Sequence, residues 1–239
     1  MPDIPVEPNN AQIFDLPLLL FDNIPTGWYV KDAMTKSTKK QSAKTKILMA
    51  ALSVIRAKGY AATSVDDLCS FAGVTKGAFF HHFKSKDELA VAAADFWSET
   101  TGTLFETAPY HAHPDPLERV LGYIDFRKSI LQGKPPEFTC LVGTMVQEIY
   151  ESHDAIRAAC ERSISSHAAK IEVDIAAAKL ERGIKATWTA SSLALHTQAV
   201  LQGAFILAKA KGGPKAAADS IDHLRRYVKF LFQAGKQKE

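Results

Sequence analysis

Apolar positions from Ala43 onward repeat with the period of an α-helix. Leu48, Ala51, Leu52 and Ile55 fall at i, i+3, i+4 and i+7, and Gly59 stands where a helix C-terminal glycine belongs. Val65, Leu68, Cys69 and Ala72 repeat the stripe over a second, short helix, with Thr63 or Ser64 as N-cap and Asp67 near its positive pole. Gly73 breaks that helix, and Thr75 can cap a third, which ends near Phe79, Phe80, His81, His82 and Phe83. Ser85-x-x-Glu88 is a capping box that opens a fourth, striped by Leu89, Ala92, Ala93 and Phe96 toward Phe105. The prolines and histidines from Pro109 to Pro116 read as a loop. Helical periodicity then predicts segments over Pro116–Gln132, Thr139–Tyr150, Asp154–Arg182, Thr189–Lys211 and Ala216–Phe232, the last two parted by Lys211-Gly212-Gly213-Pro214. No strand alternation of useful length and no solenoid repeat interrupts this pattern, so the chain is expected to be all-α.

Composition changes the picture little and charge changes it more. The chain has 239 residues, 46% hydrophobic and 23% charged, which is ordinary globular usage and excludes a fibrous or wholly disordered protein. Cys69, Cys140 and Cys160 are too few and too scattered for a disulfide-stapled fold, and no apolar run reaches the roughly 18 residues of a membrane span; a cytoplasmic setting without a membrane partner is expected. Residues 1–33 hold five prolines and set Asp3, Glu7, Asp15, Asp22 and Asp32 against Lys31 alone, so they read as an irregular acidic arm. Met34 begins a different kind of sequence and is a candidate natural start. Residues 34–90 hold ten lysines and arginines against four acidic residues, while residues 91–239 are close to neutral. That asymmetry predicts two functions on one chain: a small basic domain over 34–90 and a larger helical one over 91–239.

Two short helices joined through a glycine, the second small, polar and basic on its surface, form a helix-turn-helix, whose second helix enters the DNA major groove. Thr75-Lys76-Gly77-Ala78 is the turn that must approach DNA closely; small residues admit the backbone and Lys76 reaches a phosphate or a guanine edge. Glycine inside a helix costs up to about 1 kcal/mol, so Gly77 is easier to understand at a contact surface than in a core. Ser85 and Lys86 begin the next helix, where backbone N–H groups and the ammonium can grip a phosphate. Phe79 and Phe83, at i and i+4, read as core, and Cys69 as a small buried hydrophobe. His81 and His82 point about 100° apart and lack ligand partners at metal spacing, so neither metal nor cofactor is expected. Lys36, Lys39 and Lys40 are either a solvated tail or an arm that tracks a groove.

Over Ala43–Leu89 the chain resembles the DNA-binding domain of the TetR/AcrR family of bacterial repressors. The resemblance is carried by Gly59-Tyr60-Ala61-Ala62-Thr63-Ser64-Val65-Asp66-Asp67-Leu68 and by Ala72-Gly73-Val74-Thr75-Lys76-Gly77-Ala78-Phe79-Phe80-His81-His82-Phe83-Lys84-Ser85-Lys86-Asp87-Glu88-Leu89. It implies phosphate contacts from Thr63 or Ser64, Thr75, His81, His82 and Lys86, and base-edge approach by Lys76, Gly77 and Ala78. Two positions depart from the family pattern. Ala78 stands where a hydroxyl or amide residue is common, and Phe80 where a tyrosine usually bonds a phosphate, changes that shift readout toward thymine methyl groups.

The remainder resembles the family's ligand-binding part more loosely. Cys140-Leu141-Val142-Gly143-Thr144-Met145-Val146-Gln147-Glu148 and Leu201-Gln202-Gly203-Ala204-Phe205-Ile206-Leu207-Ala208-Lys209 are similar to a subgroup that includes acrylate- and electrophile-responsive repressors, in which a cysteine at the position of Cys140 can act as a sensor. A helix N-terminus would stabilise its thiolate; the alternative is an inert buried thiol. The candidate lining of a small-molecule effector pocket is Trp97, Phe105, Tyr123, Phe126, Cys140, Met145, Glu148, His167, Trp188 and His196, most of which also suit an ordinary core. Leu193, Val200, Gly203 and Leu207, with Ile221, Leu224, Val228 and Leu231, stripe the last two helices. The family resemblance points to a homodimer bundled through them, reading a near-palindromic double-stranded operator. An intrachain core is the alternative.

Two competing readings are a Cys140 enzyme assisted by His167 or His196, and a protein that coats DNA without sequence preference. No nucleophile elbow, glycine-rich phosphate loop, HExxH or paired CxxC supports the first.

Overall fold

The computed structural model describes residues 42–234, in which helices occupy nearly the whole chain and no strand occurs. The arm expected over residues 1–33, the candidate start at Met34 and the basic residues Lys36, Lys39 and Lys40 lie outside the described residues.

Four helices build the N-terminal part: α1 (Ala43–Lys58), α2 (Val65–Ala72), α3 (Lys76–His82) and α4 (Lys86–Glu106). Each start has a hydroxyl cap, those at Ser64, Thr75 and Ser85 where the sequence predicts them. Ser42 accepts from the Thr45 N–H at 3.1 Å, Ser64 and Asp67 form a reciprocal capping box, and Thr75 accepts from the Ala78 N–H at 3.1 Å. The box expected at Ser85 closes differently: Ser85 accepts from the Glu88 N–H, but the Glu88 carboxylate accepts from Lys84 N–H, one residue before the cap.

A 3₁₀ turn (Pro109–Ala112) and the single turn α6 (Pro135–Phe138) begin at prolines and are too short to show a period, so both were legible only as loop. Around them run α5 (Pro116–Ser129), α7 (Leu141–Ile149), α8 (Asp154–Glu181), α9 (Ala190–Lys211) and α10 (Lys215–Ala234). Each of these falls within a few residues of its predicted span.

One apolar core runs through both parts. Ile47, Ala50 and Ile55 of α1 close on Leu68, Phe79, Phe83 and Leu89, and the same cluster continues through Leu141, Met145 and Ile149 of α7 into Ile156 and Cys160 of α8. The helix-turn-helix is therefore seated on α7 and α8 rather than tethered to them. Arg119 to Asp174, Lys128 to Asp222 and Arg225 to Asp125, each at 2.7 Å, pin α5 to α8 and α10.

The packing of α9 against α8 and of α10 against α9 and α5 corrects the expected subunit interface. Leu193, Ile221, Leu224 and Val228 are buried inside a single chain and belong to its core. The strongest apolar stripe of each helix faces inward because that is where most water-excluded area is gained. Val200 and Leu231 are half-buried. The outward faces carry a second, weaker stripe of Leu195, Ala199, Gly203, Ile206 and Leu207 on α9, with Tyr227 and Phe230 on α10; Leu207 is 46% and Phe230 64% exposed. Among the described residues no helix is long and apolar enough to cross a membrane.

Candidate DNA interface and effector cleft

The turn between α2 and α3 is set by Gly73, which adopts φ 63°, ψ 41° and donates its N–H back to the end of α2. Phe79 and Phe83 anchor α3 in the core. That leaves one solvent face, on which Lys76, Gly77, Phe80 and His81 are exposed and Ala78 and His82 half-buried; Phe80 is 54% exposed. Ser64 and Thr75 stand exposed at the two N-termini. Gly77 has an ordinary helical backbone, and a methyl group added there would meet only the Thr75 hydroxyl at 3.7 Å, so nothing inside the chain calls for glycine. Lys76 pairs with Asp66 at 2.8 Å, which raises its pKa and holds it across the front of the motif.

Two expected phosphate ligands are placed otherwise. Thr63 is 2% exposed and its hydroxyl donates to the Gly59 carbonyl at 2.6 Å. Lys86 donates to the Tyr60 and Thr63 carbonyls at 3.1 and 3.0 Å, with its ammonium 4.2 Å from the Tyr60 ring centroid. The loop between α1 and α2 turns its carbonyls toward the start of α4, and an ammonium is what satisfies them. Both residues build the motif rather than face its partner. Tyr60 in turn donates to Asp87, and burial, then this bond, raises its pKa.

A cleft of about 220 Å³ opens between α7 and α9. One wall is Cys140, Gly143, Thr144, Gln147 and Glu148; the other is Gln202, Phe205, Ile206 and Lys209; Thr139 completes it. Cys140 is the N-cap of α7, half-buried, and its Sγ accepts from the Gly143 N–H at 3.4 Å. Lys209 donates to the Thr144 hydroxyl at 2.8 Å; burial lowers its pKa, Glu148 opposes that shift and Arg56 adds to it. Arg56, on α1, donates to the carbonyls of Leu52 at 2.7 Å, Glu137 at 3.2 Å and Thr139 at 3.4 Å, and stacks 5.1 Å over Trp97. Burial lowers its pKa to about 10, so it stays cationic at neutral pH.

Of the ten residues expected to line a pocket, Cys140 and Glu148 line this cleft. Phe105, Tyr123, Phe126 and His167 form an aromatic cluster, with Phe105 and His167 centroids 4.6 Å apart. In it Gln198 donates to the Tyr123 hydroxyl at 3.2 Å and that hydroxyl lies 2.9 Å from His167 Nε2. Burial, aided by Arg127 and Lys170, lowers the His167 pKa to about 3, so the imidazole is neutral and shares a hydrogen bond with the Tyr123 hydroxyl. Met145 is wholly buried and Trp97 serves Arg56. Trp188 packs on Phe232 and under Lys179, and His196 is exposed beside Tyr227, so the structure does not bring these two to the cleft. Neither histidine named as an enzymatic partner lines the cleft with Cys140. No group of acidic, cysteine or histidine residues suited to a metal occurs among the described residues.

Residues 47–93 match the family model "Bacterial regulatory proteins, tetR family", and residues 116–224 match "Tetracyclin repressor-like, C-terminal domain". The chain belongs to the TetR family. Among curated relatives, it is 27% identical over 113 residues to the transcriptional regulator AcuR of Cereibacter sphaeroides, covering 47% of this chain and 52% of that one. It is 35% identical over 86 residues to the regulator TtgR of Pseudomonas putida, covering 35% and 41%. The chain thus spans about half, or less, of the length of the curated relatives it matches. A TetR regulator from Rhodobacter sphaeroides superposes with a TM-score of 0.70 at 22% identity, over 78% of this chain and 99% of the other. One from Agrobacterium tumefaciens gives 0.69 at 20%, over 78% and 97%, which shows the fold.

Within this TetR fold, the residues around the cleft that sequence reading missed are Arg56, Thr139, Gln202 and Lys209. The signal for some was present: the segments Cys140–Glu148 and Leu201–Lys209 are the two walls of one cleft. Arg56 gave none, since an arginine near a helix end reads as solvated until its distant carbonyl partners are known.

Proposed function

We propose that the protein is a cytoplasmic, homodimeric, sequence-specific DNA-binding repressor, released from a near-palindromic operator by a small effector that enters the α7–α9 cleft. The observation that carries this reading is the solvent face of α3. Lys76, Gly77, Phe80 and His81 are presented together on a helix locked from behind by Phe79 and Phe83, and Gly77 has no use inside the chain. Dimerisation through the outward stripe of α9 and α10 sets two such helices about 34–36 Å apart, or a multiple of it, to match successive major grooves.

The effector acts through two contacts. Glu148 joins the cleft wall to the backbone at Ala61, and Arg56 joins α1 to the carbonyls just before Cys140. A ligand that shifts α7 moves the helix-turn-helix with it, and so favours one spacing of the two heads over another. Cys140 lines the cleft at a helix N-terminus, which supports its capture of an electrophilic effector. In Cys140→Ser, DNA binding should persist and release by N-ethylmaleimide should be lost.

The test of the whole reading is fluorescence anisotropy of the protein on its own upstream intergenic DNA and on a shuffled duplex at two salt concentrations. A preference of about 10³ or more for the native fragment is expected. Equal, salt-labile binding to both duplexes means a DNA-coating protein instead.

A further inference from the structure

Residues 34–90 hold four acidic side chains in an otherwise basic domain, and three of them are occupied by the motif's own framework. Asp67 closes the capping box with Ser64 and pairs with Lys58 at 2.6 Å, Asp87 accepts from Tyr60, and Glu88 accepts from the Lys84 N–H. The fourth is Asp66. Among the described residues its partner is the Lys76 ammonium, at 2.8 Å. The side chains of Asp66 and Lys76 are 68% and 60% exposed, so the pair bridges the solvent-facing N-termini of α2 and α3 and takes no part in the core.

Stability does not account for this pair. An ion pair so exposed contributes little, and α2 is already capped by Ser64 and Asp67. Its place does account for it, since Ser64, Thr75, Gly77 and Phe80 stand exposed on the same two helices. Non-specific attraction to a duplex is the sum of free cations acting on phosphates. A lysine held by a carboxylate adds little to that sum: the two charges cancel at a distance, and an ammonium that left for a phosphate would strand the carboxylate against a polyanion. The same lysine remains a good ligand for a base edge. Its ammonium carries three donors; Asp66 uses one and leaves two for the O6 and N7 acceptors of a guanine.

We propose that Asp66 is a positioning residue for sequence readout, which holds Lys76 for a guanine edge and withholds it from indiscriminate phosphate contact. This rests on the α3 interface described above and adds the residue that sets how selective that interface is.

The experiment is anisotropy titration of the full chain and of Asp66→Asn, Asp66→Glu and Lys76→Ala over a salt series. Each is titrated on a duplex that the wild-type protein enriches from a random pool, and on a shuffled duplex. Asp66→Asn should melt as the wild type does, bind the shuffled duplex several-fold more tightly with a salt slope steeper by about 0.9, and lose discrimination at least several-fold. Asp66→Glu, which keeps the charge, should restore most of the discrimination. A second enrichment with Asp66→Asn should relax one G·C position per half-site, the position that Lys76→Ala also relaxes. Unchanged discrimination, an equal change on both duplexes, or relaxation at a position that Lys76→Ala leaves intact would overturn the role of Asp66. Lys76→Ala separates the two claims. If it alters neither affinity nor salt slope, the α3 interface itself fails; if it weakens operator binding while Asp66→Asn discriminates as the wild type does, the interface stands and the positioning role falls.

Discussion

The Glu148 carboxylate accepts a hydrogen bond from the backbone N–H of Ala61 at 2.8 Å, joining the cleft wall to the turn that leads into the helix-turn-helix. The bond is charge-assisted but exposed, so its worth to stability is about 1 kcal/mol or less, and its consequence lies in coupling. Glu148→Ala should leave operator affinity within a few-fold of wild type while reducing the shift in affinity that an effector produces. Full effector response in the variant, measured by anisotropy, would place the coupling elsewhere. Gly59, beside this contact, has φ 88°, ψ 163°, a backbone region open almost only to glycine. Gly59→Ala should therefore cost of the order of 1–3 kcal/mol in urea unfolding; its clash with Glu148 is with the flexible end of a side chain and adds little.

Lys76 and Lys86 are both lysines at the first position of a helix, and the structure gives them opposite roles. Lys76 is exposed on α3, whereas Lys86 holds the Tyr60 and Thr63 carbonyls. Lys76→Ala should reduce the salt dependence of DNA binding by about one phosphate contact with an unchanged melting temperature. Lys86→Ala should lower the melting temperature first. The reverse assignment of the two effects would mean that Lys86 releases its carbonyls on DNA.

Gly77 offers a cleaner separation of fold and function. Alanine fits there without steric conflict and has the better helix propensity, so Gly77→Ala should stabilise the protein by up to about 1 kcal/mol. The same methyl group should weaken operator binding at least several-fold by holding the α3 backbone away from the groove. A variant that is more stable and binds as well as wild type would remove α3's N-terminal turn from the interface.

Helix order and the motif were legible because periodicity and caps are local: Ser64, Thr75 and Gly73 each act within four residues of themselves. What was not legible depends on partners far along the chain. Thr63 looked like a phosphate ligand until its hydroxyl was seen to be used by Gly59, and Lys86 until the Tyr60 carbonyl was seen beneath it. On α9 and α10 both faces are apolar, and periodicity ranks stripes by hydrophobicity without saying which is turned inward. The stronger stripe, with Leu193 and Leu224, went to the core; the weaker one, with Leu207 and Phe230, was left outside.

His167 gives the fold a pH dependence. Its native pKa is lowered to about 3 by burial, then by Arg127 and Lys170, whereas an unfolded histidine titrates near 6.5. Between those values the unfolded chain binds a proton that the native chain does not, so stability rises with pH and is lost on acidification, with a slope approaching about 1.4 kcal/mol per pH unit. His167→Gln keeps a hydrogen-bonding group beside the Tyr123 hydroxyl and removes the titration. Urea midpoints between pH 6.5 and 5 should fall steeply in the wild type and stay nearly flat in the variant, since the carboxylates with lowered pKa, such as Asp115 and Asp222, titrate further into acid. Parallel pH profiles would mean that water reaches the imidazole.

Leu207 and Leu224 decide which stripe makes the dimer. Leu207 projects from the outward face of α9, and Leu224 is 3% exposed in the chain's own core. Leu207→Glu places a charge in the proposed interface and nowhere else, so light scattering should report a monomer near 26.1 kDa with native helical content, and operator affinity should collapse because one head reads half a site. Leu224→Ala should instead cost about 2–5 kcal/mol of stability, the usual range for a leucine cavity, and leave the folded fraction dimeric. If Leu207→Glu remains a dimer and still binds its palindrome tightly, the two heads are joined through another surface, and the exposed apolar run of Val173 and Leu180 on α8 becomes the next face to mutate.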